Sequence, residues 1–409
     1  MPNTSPLAPA SFPAMPPIAG VRLASYAAGI RYEGRDDMML AELAPGSTIA
    51  GVFTQSTMPG QPVIWCRECL PHGVVRAIVV NSGNANVFTG RAGWQVVEST
   101  AATAARLFGC DPHEVYLSST GVIGEPPPAD RISAALPDIV PLLDAGAWEK
   151  AARAIMTTDT FPKGATATAS IDGTPVRLNG FCKGSGMIAP NMATMLAYLF
   201  TDAALPASVL QKLLTETNEI SFNSMTVDGD TSTSDTVLLC ATGQAGHSPV
   251  TSADDPRLTG FRQALRDVMV DLAQQIARDG EGAQKFVTID VTGAESDRAA
   301  RQIGLTIGNS PLVKTALAAG DANWGRIVMA VGRAGEKADR NKLGIAVGGI
   351  QIAAEGGPVP GYREGPVAEH MKGHNIHIAV DIGIGAGQAT VWTCDLTHGY
   401  IDINGSYRS

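Results

Sequence analysis

The chain has 409 residues, 44% hydrophobic and 17% charged, so it can bury a large core and form two or more lobes. A formal net charge of −9, with no basic cluster, argues against a nucleic-acid-binding surface. No apolar run reaches the roughly 18 residues that span a bilayer, and no signal segment is apparent, so we expect a cytoplasmic protein that acts on small molecules, with no membrane partner.

The first part of the chain is predicted to hold an arm, several strands and a polar turn. Residues 1–17 include six prolines and have little to bury, so we expect a flexible, Pro-rich arm. Short apolar runs over 21–53 predict strands, and 75–80 predicts a buried strand. The turn NSGNANVFTG at 81–90 either lines a polar site or is a structural strand-to-helix turn.

The next part is predicted to present a hydroxyl and a backbone amide together. A helix over 91–108 is ended by Gly109, and a short strand at 115–118 leads into the turn SSTGVIG. Thr120 and Gly121 lie on this turn, where an O–H and an N–H can point at one spot, as an oxyanion requires. Taken alone, the pattern indicates only a turn.

A predicted helix at 148–156 and a hairpin of 165–171 with 176–181 deliver the chain to KGSGMIAPNMATML at 183–196. Within it, Thr194 could attack the carbonyl of Ala193 and become a new N-terminus. The hydroxyl needs an adjacent base, and the α-amino group freed on the same residue can serve as one. The stretch is therefore a candidate for self-cleavage.

The same stretch also fits a dinucleotide-binding oxidoreductase. Gly184, Gly186 and Ala189 match G-x-G-x-x-[G/A], with Asp202 as a possible ribose ligand. Against this alternative, Pro190 falls in the first turn of the required helix, and the preceding hairpin is not the first strand of a βαβ unit.

The remaining chain offers a polar loop and a candidate carboxylate. Asp228, Asp230 and Asp235 lie in a hydroxyl-rich stretch without the EF-hand spacing, which favours a hydrogen-bonded loop that supports the site. A helix over 256–278 ends at Gly280. Glu281 follows, and a carboxylate past a helix C-terminus needs a cation or water as partner.

No metal site is predicted. Cys66 and Cys69 form a lone C-x-x-C without a second pair, so we expect reduced thiols. His370, His374 and His377 have helical ligand spacing, but Gly373 interrupts the helix, so we expect surface or packing histidines.

From about residue 18 onward, the chain resembles the ornithine acetyltransferase family of the arginine pathway, the ArgJ proteins. The motifs that carry the resemblance are, in family order, NSGNAN, STGVIG, MTTDTFPK, KGSGMIAPNMATML, TVDGDTSTSDT, DGEGAQKF, SPLVKT, DANWGR and INGSYRS. The resemblance implies an α/β fold with two lobes, a sandwich of sheets flanked by helices, of the self-cleaving N-terminal-threonine kind shared by ArgJ and DmpA-like proteins. Residues 18–193 would form an α chain and residues 194–409 a β chain, which jointly make the fold.

The resemblance also implies residue roles. Thr194 would be the nucleophile, released by cleavage after Ala193, with Thr120 and Gly121 as the oxyanion hole. The implied substrate contacts are Thr160, Lys183, Thr194, Glu281, Asn404 and Ser409. Lys183 suits an α-carboxylate and Glu281 the ornithine ammonium, both as charge-assisted bonds.

The implied reaction moves the acetyl group of N2-acetylornithine to Thr194 and then to glutamate, without metal or organic cofactor. Acetyl-CoA would be a second donor only in a bifunctional member, and the fragments would associate as a heterotetramer of two α and two β chains. A self-cleaving amidohydrolase of N-acyl amino acids using the same threonine is a further alternative. The donor preference stays open because several positions depart from the usual family residues: Val87, Phe88, Ser234, Gln284 and Ser409.

Overall fold

The computed structural model describes residues 4–189 and 195–405. This part of the chain forms three β-sheets with helices packed against them. The strands are β1 (Val21–Tyr26), β2 (Met38–Leu43), β3 (Thr48–Phe53), β4 (Ala77–Asn84), β5 (Val115–Val122), β6 (Lys163–Ile171), β7 (Thr174–Lys183), β8 (Leu196–Thr201), β9 (Thr236–Ala241), β10 (Phe286–Ala294), β11 (Gly344–Val347), β12 (Ile350–Ala354), β13 (Gly357–Pro358), β14 (Asn375–Asp381) and β15 (Gly387–Cys394). The helices are α1 (Gln61–Cys69), α2 (Gly90–Phe108), α3 (Ala129–Ile139), α4 (Trp148–Ala154), α5 (Ala207–Glu219), α6 (Thr259–Arg278), α7 (Asp297–Gly308), α8 (Pro311–Ala319), α9 (Trp324–Gly332), α10 (Glu364–Met371) and α11 (His398–Gly405).

The first sheet has the strand order β1-β2-β4-β5, with β4 and β5 parallel. Its central strands β2 and β4 are buried along their whole length, which explains why they read as continuous apolar runs rather than alternating ones. Helices α1 and α2 pack against β5. The sheet brings the end of β5, with its hydroxyl residues, to the edge of the core.

The second sheet, β3-β9-β8-β7-β6, contains strands from both sides of residues 190–194. Because successive side chains alternate across a strand, Tyr198 and Phe200 pack in one core with the first sheet, while Ala197 and Leu199 pack in another with α5 and α6. The layers therefore follow the order helix, sheet, sheet, helix, which agrees with the predicted sandwich.

The third sheet, β13-β12-β11-β14-β10-β15, has its own core. Val287, Ile289 and Val291 of β10 pack with α7, α8 and α9 on one face. Phe286 and Trp392 join the core of the second sheet instead, which couples the two lobes.

Local sequence signals gave several elements closely. The hairpin of β6 and β7 turns at Asp172-Gly173, with Asp172 in the left-handed region, and α2 ends at Gly109 as predicted. The strand β5 extends beyond the predicted residue 118 to Val122, because it pairs with the polar end of β4 through a bulge. No helix in the part described is long and apolar enough to cross a membrane.

The N-terminal arm differs from the expectation of a loose segment. Residues 4–17 contain no helix or strand, but Leu7 is buried and Phe12 packs on the core. The side chain of Asn179 donates to the carbonyl of Pro16, and Ser5 bonds to the end of α6. A few apolar residues are enough to hold the arm on the protein, because the strands it covers carry small residues. The ring of Phe12, for example, lies directly beside Gly164 of β6.

Candidate active site

A cavity of about 320 Å³ opens where the ends of β5 and β7 meet the segment after α6 and the last helix α11. Its lining is rich in hydroxyl groups and contains one lysine and one glutamate. The lining residues are Ala85, Thr120, Gly121, Val122, Ile123, Thr157, Thr158, Lys183, Gly186, Met187, Ser232, Thr233, Ser234, Glu281 and Asn404. Elements distant in sequence thus converge on one space.

The last residues of β5 form one wall of the cavity. Gly121 pairs with Gly83 of β4 and has a φ of 131°, a region that favours glycine. A Cβ atom at Gly121 would lie 2.3 Å from the carbonyl carbon of Gly83, so no other residue fits. This close approach fixes the place of Thr120 and Gly121 in the cavity wall, and their role as an oxyanion hole stays a prediction.

Lys183, the last residue of β7, is buried beside Thr120. Its Nζ donates to Oγ1 of Thr120 over 3.1 Å. Burial lowers the pKa of Lys183, and Asp159 only partly offsets this effect. The ammonium therefore gains from any anion that enters the cavity.

Glu281 lies in the segment after α6 and is 7% exposed. Asn404 of α11 donates to its Oε2 over 2.6 Å. Burial raises the pKa of Glu281, while the hydrogen bonds from Asn404 and Thr158 lower it. A Cβ atom at Gly186 would lie 2.4 Å from the Glu281 carboxylate, so glycine at that position makes room for the acid.

The segment MTTDTFPK contributes two threonines to the cavity wall. Thr157 and Thr158 line the cavity. The hydroxyl of Thr160 instead donates to Asp279 and accepts from the backbone N–H of Ser5. The side chain of Thr160 is thus engaged on the protein side of this segment, behind the cavity wall.

A buried ion cluster, Asp159, Lys163 and Asp279, lies behind this wall. Nζ of Lys163 is 2.6 Å from a carboxylate oxygen of each aspartate, and both Lys163 and Asp159 side chains are fully buried. Burial opposes the charges, but the two aspartates raise the pKa of Lys163, and Lys163 with Lys183 keeps the pKa of Asp159 below its usual range.

The ion cluster holds the neighbouring parts of the site. Asp159 accepts from the backbone N–H groups of Thr157 and Gly184, over 3.1 and 2.7 Å. The hydroxyl of Ser185 donates to the carbonyl of Asp279, two residues before Glu281. Sequence analysis assigned no role to these three charges, although an aspartate and a lysine four residues apart in MTTDTFPK are a signal for such a pair.

The polar stretch Thr226–Thr236 forms the opposite wall through Ser232, Thr233 and Ser234. Asp228 and Asp235 accept hydrogen bonds from backbone amides, as expected for a supporting loop. No group of three or more potential metal ligands occurs within residues 4–189 and 195–405. His374 bonds to the carbonyl of Gln284 and the ring of His377 to Asp290, while Nε2 of His370 accepts from the backbone N–H of His377.

The dinucleotide alternative does not fit this geometry. No helix begins between residues 184 and 189, and β7 pairs antiparallel with both of its neighbours. The Asp202 carboxylate accepts from the backbone N–H of Arg177. Residues 184–189 therefore do not form the strand-to-helix turn on which pyrophosphate binding depends.

Two further predictions concern the Asn-rich turn and the cysteines. Ala85 of the turn lines the cavity, whereas Asn84 and Asn86 bond within the turn and to its flanks. The turn therefore both lines a polar cavity and serves as a structural connection between β4 and α2.

Cys66 is a buried free thiol. Burial raises its pKa to about 12, which is consistent with an inert reduced cysteine.

Three predicted positions, Ala193, Thr194 and Ser409, lie outside the described residues. The chain positions flanking the first two are described on both sides, at Ala189 and Met195. Of the other predicted site residues, Thr120, Gly121, Lys183, Glu281 and Asn404 meet at one cavity.

The chain is similar to known proteins over nearly its whole length. The model of the ArgJ family matches residues 22–409. The chain is 59% identical over 405 residues to the arginine biosynthesis bifunctional protein ArgJ of Gluconobacter oxydans, covering 99% of this chain and 95% of that protein. It is 54% identical to the protein of the same name from Agrobacterium fabrum, with 99% of both chains covered. A crystal structure of the arginine biosynthesis bifunctional protein ArgJ from Bacillus halodurans is 40% identical, covers 50% of this chain and 96% of its own, and has a TM-score of 0.49.

Proposed function

Because the chain belongs to the ArgJ family, we propose that it is a glutamate N-acetyltransferase of arginine biosynthesis. It transfers the acetyl group of N2-acetylornithine to glutamate through an acetyl ester on Thr194. Thr194 becomes an N-terminal residue when the chain cleaves itself after Ala193. The hydroxyl and the new amino group then act together as nucleophile and base.

The observation that carries the proposal is the pair of buried, opposite charges facing one cavity beside Thr120 and Gly121. N2-acetylornithine bears an α-carboxylate and a side-chain ammonium. Lys183 suits the first and Glu281 the second, and each would gain a directly bonded opposite charge, which no residue within 4–189 and 195–405 supplies. The acetyl group then belongs near Thr120 and Gly121.

Cleavage requires only water as co-reactant. The hydroxyl oxygen of Thr194 attacks the carbonyl carbon of Ala193, the bond between that carbon and the Thr194 nitrogen breaks, and the hydroxyl proton ends on this nitrogen. Water then hydrolyses the ester, which leaves a carboxylate on Ala193 and a free hydroxyl and amine on Thr194.

Acetyl transfer repeats this chemistry on the substrate. The Thr194 hydroxyl attacks the acetyl carbonyl, the oxyanion accepts hydrogen bonds from Thr120 and Gly121, and ornithine leaves as the amine with the hydroxyl proton. The glutamate amine then attacks the acetyl ester and restores the hydroxyl. Since Lys183 donates to Oγ1 of Thr120, the single hydrogen of that hydroxyl stays available for the oxyanion.

The remaining substrate contacts are proposed from the cavity wall. Thr157 and Thr158 are better placed for substrate than Thr160, whose hydroxyl is engaged by Asp279. Asn404 orients Glu281, and Ser409 stays a prediction from the family resemblance.

The two fragments would remain associated after cleavage. In the second sheet, β7 from the first fragment pairs with β8 from the second along six residue pairs, and β3 pairs with β9 in the same way. Separating them would expose these strand edges and the apolar faces on both sides. We propose a heterotetramer of two copies of each fragment, which the mass in solution tests.

An intact-mass measurement of purified protein tests self-cleavage. We expect two fragments, residues 1–193 and 194–409, and a single uncut, inactive chain for Thr194→Ala. A wild-type protein that stays uncut, or a Thr194→Ala variant that still splits after residue 193, would contradict the proposal.

Product analysis then separates the transferase from the amidohydrolase. Ornithine release from N2-acetylornithine should depend on added glutamate, with N-acetylglutamate formed in equal amount. Release that proceeds equally without glutamate indicates the amidohydrolase. Replacing N2-acetylornithine by acetyl-CoA asks whether the chain shares the second activity implied by the word bifunctional in its relatives' names.

A further inference from the structure

Ile188 is held at both of its backbone groups by one stretch of chain. Its N–H donates to Oδ1 of Asp228 over 2.8 Å, and its carbonyl accepts from the N–H of Val227 over 2.8 Å. The N–H of Met187 also donates to Asp228, over 2.6 Å. The chain is thus fixed immediately before residues 189–194.

Met195 is held in the same way on the other side. Its N–H donates to Oδ1 of Asp235 over 3.0 Å, and its carbonyl accepts from the N–H of Thr236 over 3.1 Å. At each end, an aspartate carboxylate accepts from the backbone N–H, and the backbone N–H of a residue next to that aspartate donates to the carbonyl. We call each such pair of bonds a grip; the two grips are centred on Asp228 and Asp235, seven positions apart.

We propose that Asp228 and Asp235 form a two-ended clamp that positions the chain between Ile188 and Met195 for self-cleavage. The inference rests on the proposed cleavage between Ala193 and Thr194, since both residues lie between the two grips. It makes the two aspartates positioning residues, which act through the backbone of the residues they hold.

The physical reason is the cost of aligning the reacting atoms. Attack of a hydroxyl on its own preceding carbonyl needs an uncommon backbone arrangement, and a segment free at either end rarely samples it. Two fixed ends restrict the segment far more than one. Met187 already has a φ of 57°, unusual for a non-glycine residue, and its bond to Asp228 helps to hold it there.

The two grips differ in what they hold after the cut. The Asp228 grip then holds the end of the first fragment, where Met187 lies in the cavity wall, but it no longer holds the nucleophile. The Asp235 grip still holds the residue bonded to Thr194, and hence the nucleophile. Asp235 is fully buried, so water does not compete with the N–H of Met195 for its carboxylate.

The test uses Asp228→Ala, Asp235→Ala and Asp235→Asn, with Asp230→Ala as matched control because Asp230 lies between them with an exposed side chain. Each variant is expressed as the full chain, and the appearance of the two fragments is followed by intact mass over time. Thermal unfolding of the same variants on a Thr194→Ala background reports general damage.

We expect Asp228→Ala and Asp235→Ala to slow fragment formation by about tenfold to a hundredfold, the loss of a hydrogen bond to a charged or strongly polar acceptor. Asp235→Asn keeps the acceptor oxygen and should cleave faster than Asp235→Ala. Among molecules that have been cut, Asp228→Ala should retain a larger share of the wild-type kcat than Asp235→Ala.

Cleavage of both alanine variants at the rate of Asp230→Ala would overturn the clamp. So would losses in cleavage rate that simply follow losses in thermal stability across all variants. Absence of fragments in the wild type would instead contradict the proposed cleavage itself, which distinguishes the two failures.

Discussion

Two groups of buried charges lie close together in this protein, and they differ in how they are paired. In the ion cluster, Lys163 contacts both Asp159 and Asp279 at 2.6 Å. In the cavity, Lys183 donates to a hydroxyl and Glu281 accepts from an amide, and neither charge contacts an opposite charge within residues 4–189 and 195–405. A buried charge is costly unless it is paired, so we expect removal of one partner from the first group to destabilise the protein, and a ligand with opposite charges to stabilise the second group.

The two groups are also connected, because the ion cluster holds the backbone on which the cavity charges stand. The N–H of Gly184, next to Lys183, donates to Asp159, and the backbone N–H of Glu281 donates to the carbonyl of Ser185. Damage to the ion cluster should therefore lower stability first, whereas damage to the cavity charges should change selectivity first.

The largest effect should come from Lys163→Met, which leaves two carboxylates buried without their cation. Breaking such a pair typically costs about 3 to 5 kcal/mol of the free energy of unfolding. Urea denaturation on a Thr194→Ala background, where one chain unfolds, measures this loss. Lys150→Met on the exposed face of α4 is the matched control and should change the free energy by less than about 0.5 kcal/mol.

The comparison between the two groups would fail if Lys163→Met were as mild as its control. The ion cluster would then contribute no more to the free energy of unfolding than an exposed ion pair does, in spite of its burial.

A smaller effect, on selectivity, is expected for Glu281→Gln. Glutamine keeps the size of the side chain and can still accept from Asn404, but it cannot pair with the ornithine ammonium. A hydrogen bond to a charged group is worth roughly 1.5 to 3 kcal/mol, so kcat/KM for N2-acetylornithine should fall about ten- to a hundredfold. N-acetylnorvaline, which has no charged side chain, should lose much less.

Equal losses for both donors would show that Glu281 acts in structure or proton handling instead. Glu68→Gln, exposed on α1, is the control and should leave both values unchanged.

Features that depend on residues close in sequence could be predicted, and features that depend on contacts between distant residues could not. The hairpin of β6 and β7 could be predicted because Asp172-Gly173 sets its turn. The partnership of Lys163 with Asp279 spans 116 positions, and no periodicity or turn chemistry encodes it. In MTTDTFPK, likewise, only packing decides that Thr157 and Thr158 line the cavity while the hydroxyl of Thr160 bonds to Asp279, and the substrate contact of Thr160 stays a prediction.

The arm was misjudged for a related reason. Composition describes what a segment can bury by itself, and residues 4–17 bury little. Leu7 and Phe12 nevertheless pack against hydrophobic cores that other parts of the chain form.

The smallest effect is expected at the outer edge of the ion cluster, where the arm reaches it. The hydroxyl of Ser5 donates to the carbonyl of Arg278 over 2.8 Å, at the end of α6. Ser5→Ala removes this bond and the one that the hydroxyl accepts from the N–H of Leu7, but the backbone N–H of Ser5 can still donate to Thr160, so the bonds of Asp279 remain intact. Two neutral hydrogen bonds in a partly buried place together contribute about 1 to 2 kcal/mol. We expect a loss of that size in urea denaturation, kcat/KM within about twofold of the wild type, and no loss for Ser11→Ala, an exposed serine on the same arm. A tenfold loss of kcat/KM at unchanged stability would mean that the arm acts on the cavity itself, and the division between charges that stabilise and charges that bind would have to be redrawn to include it.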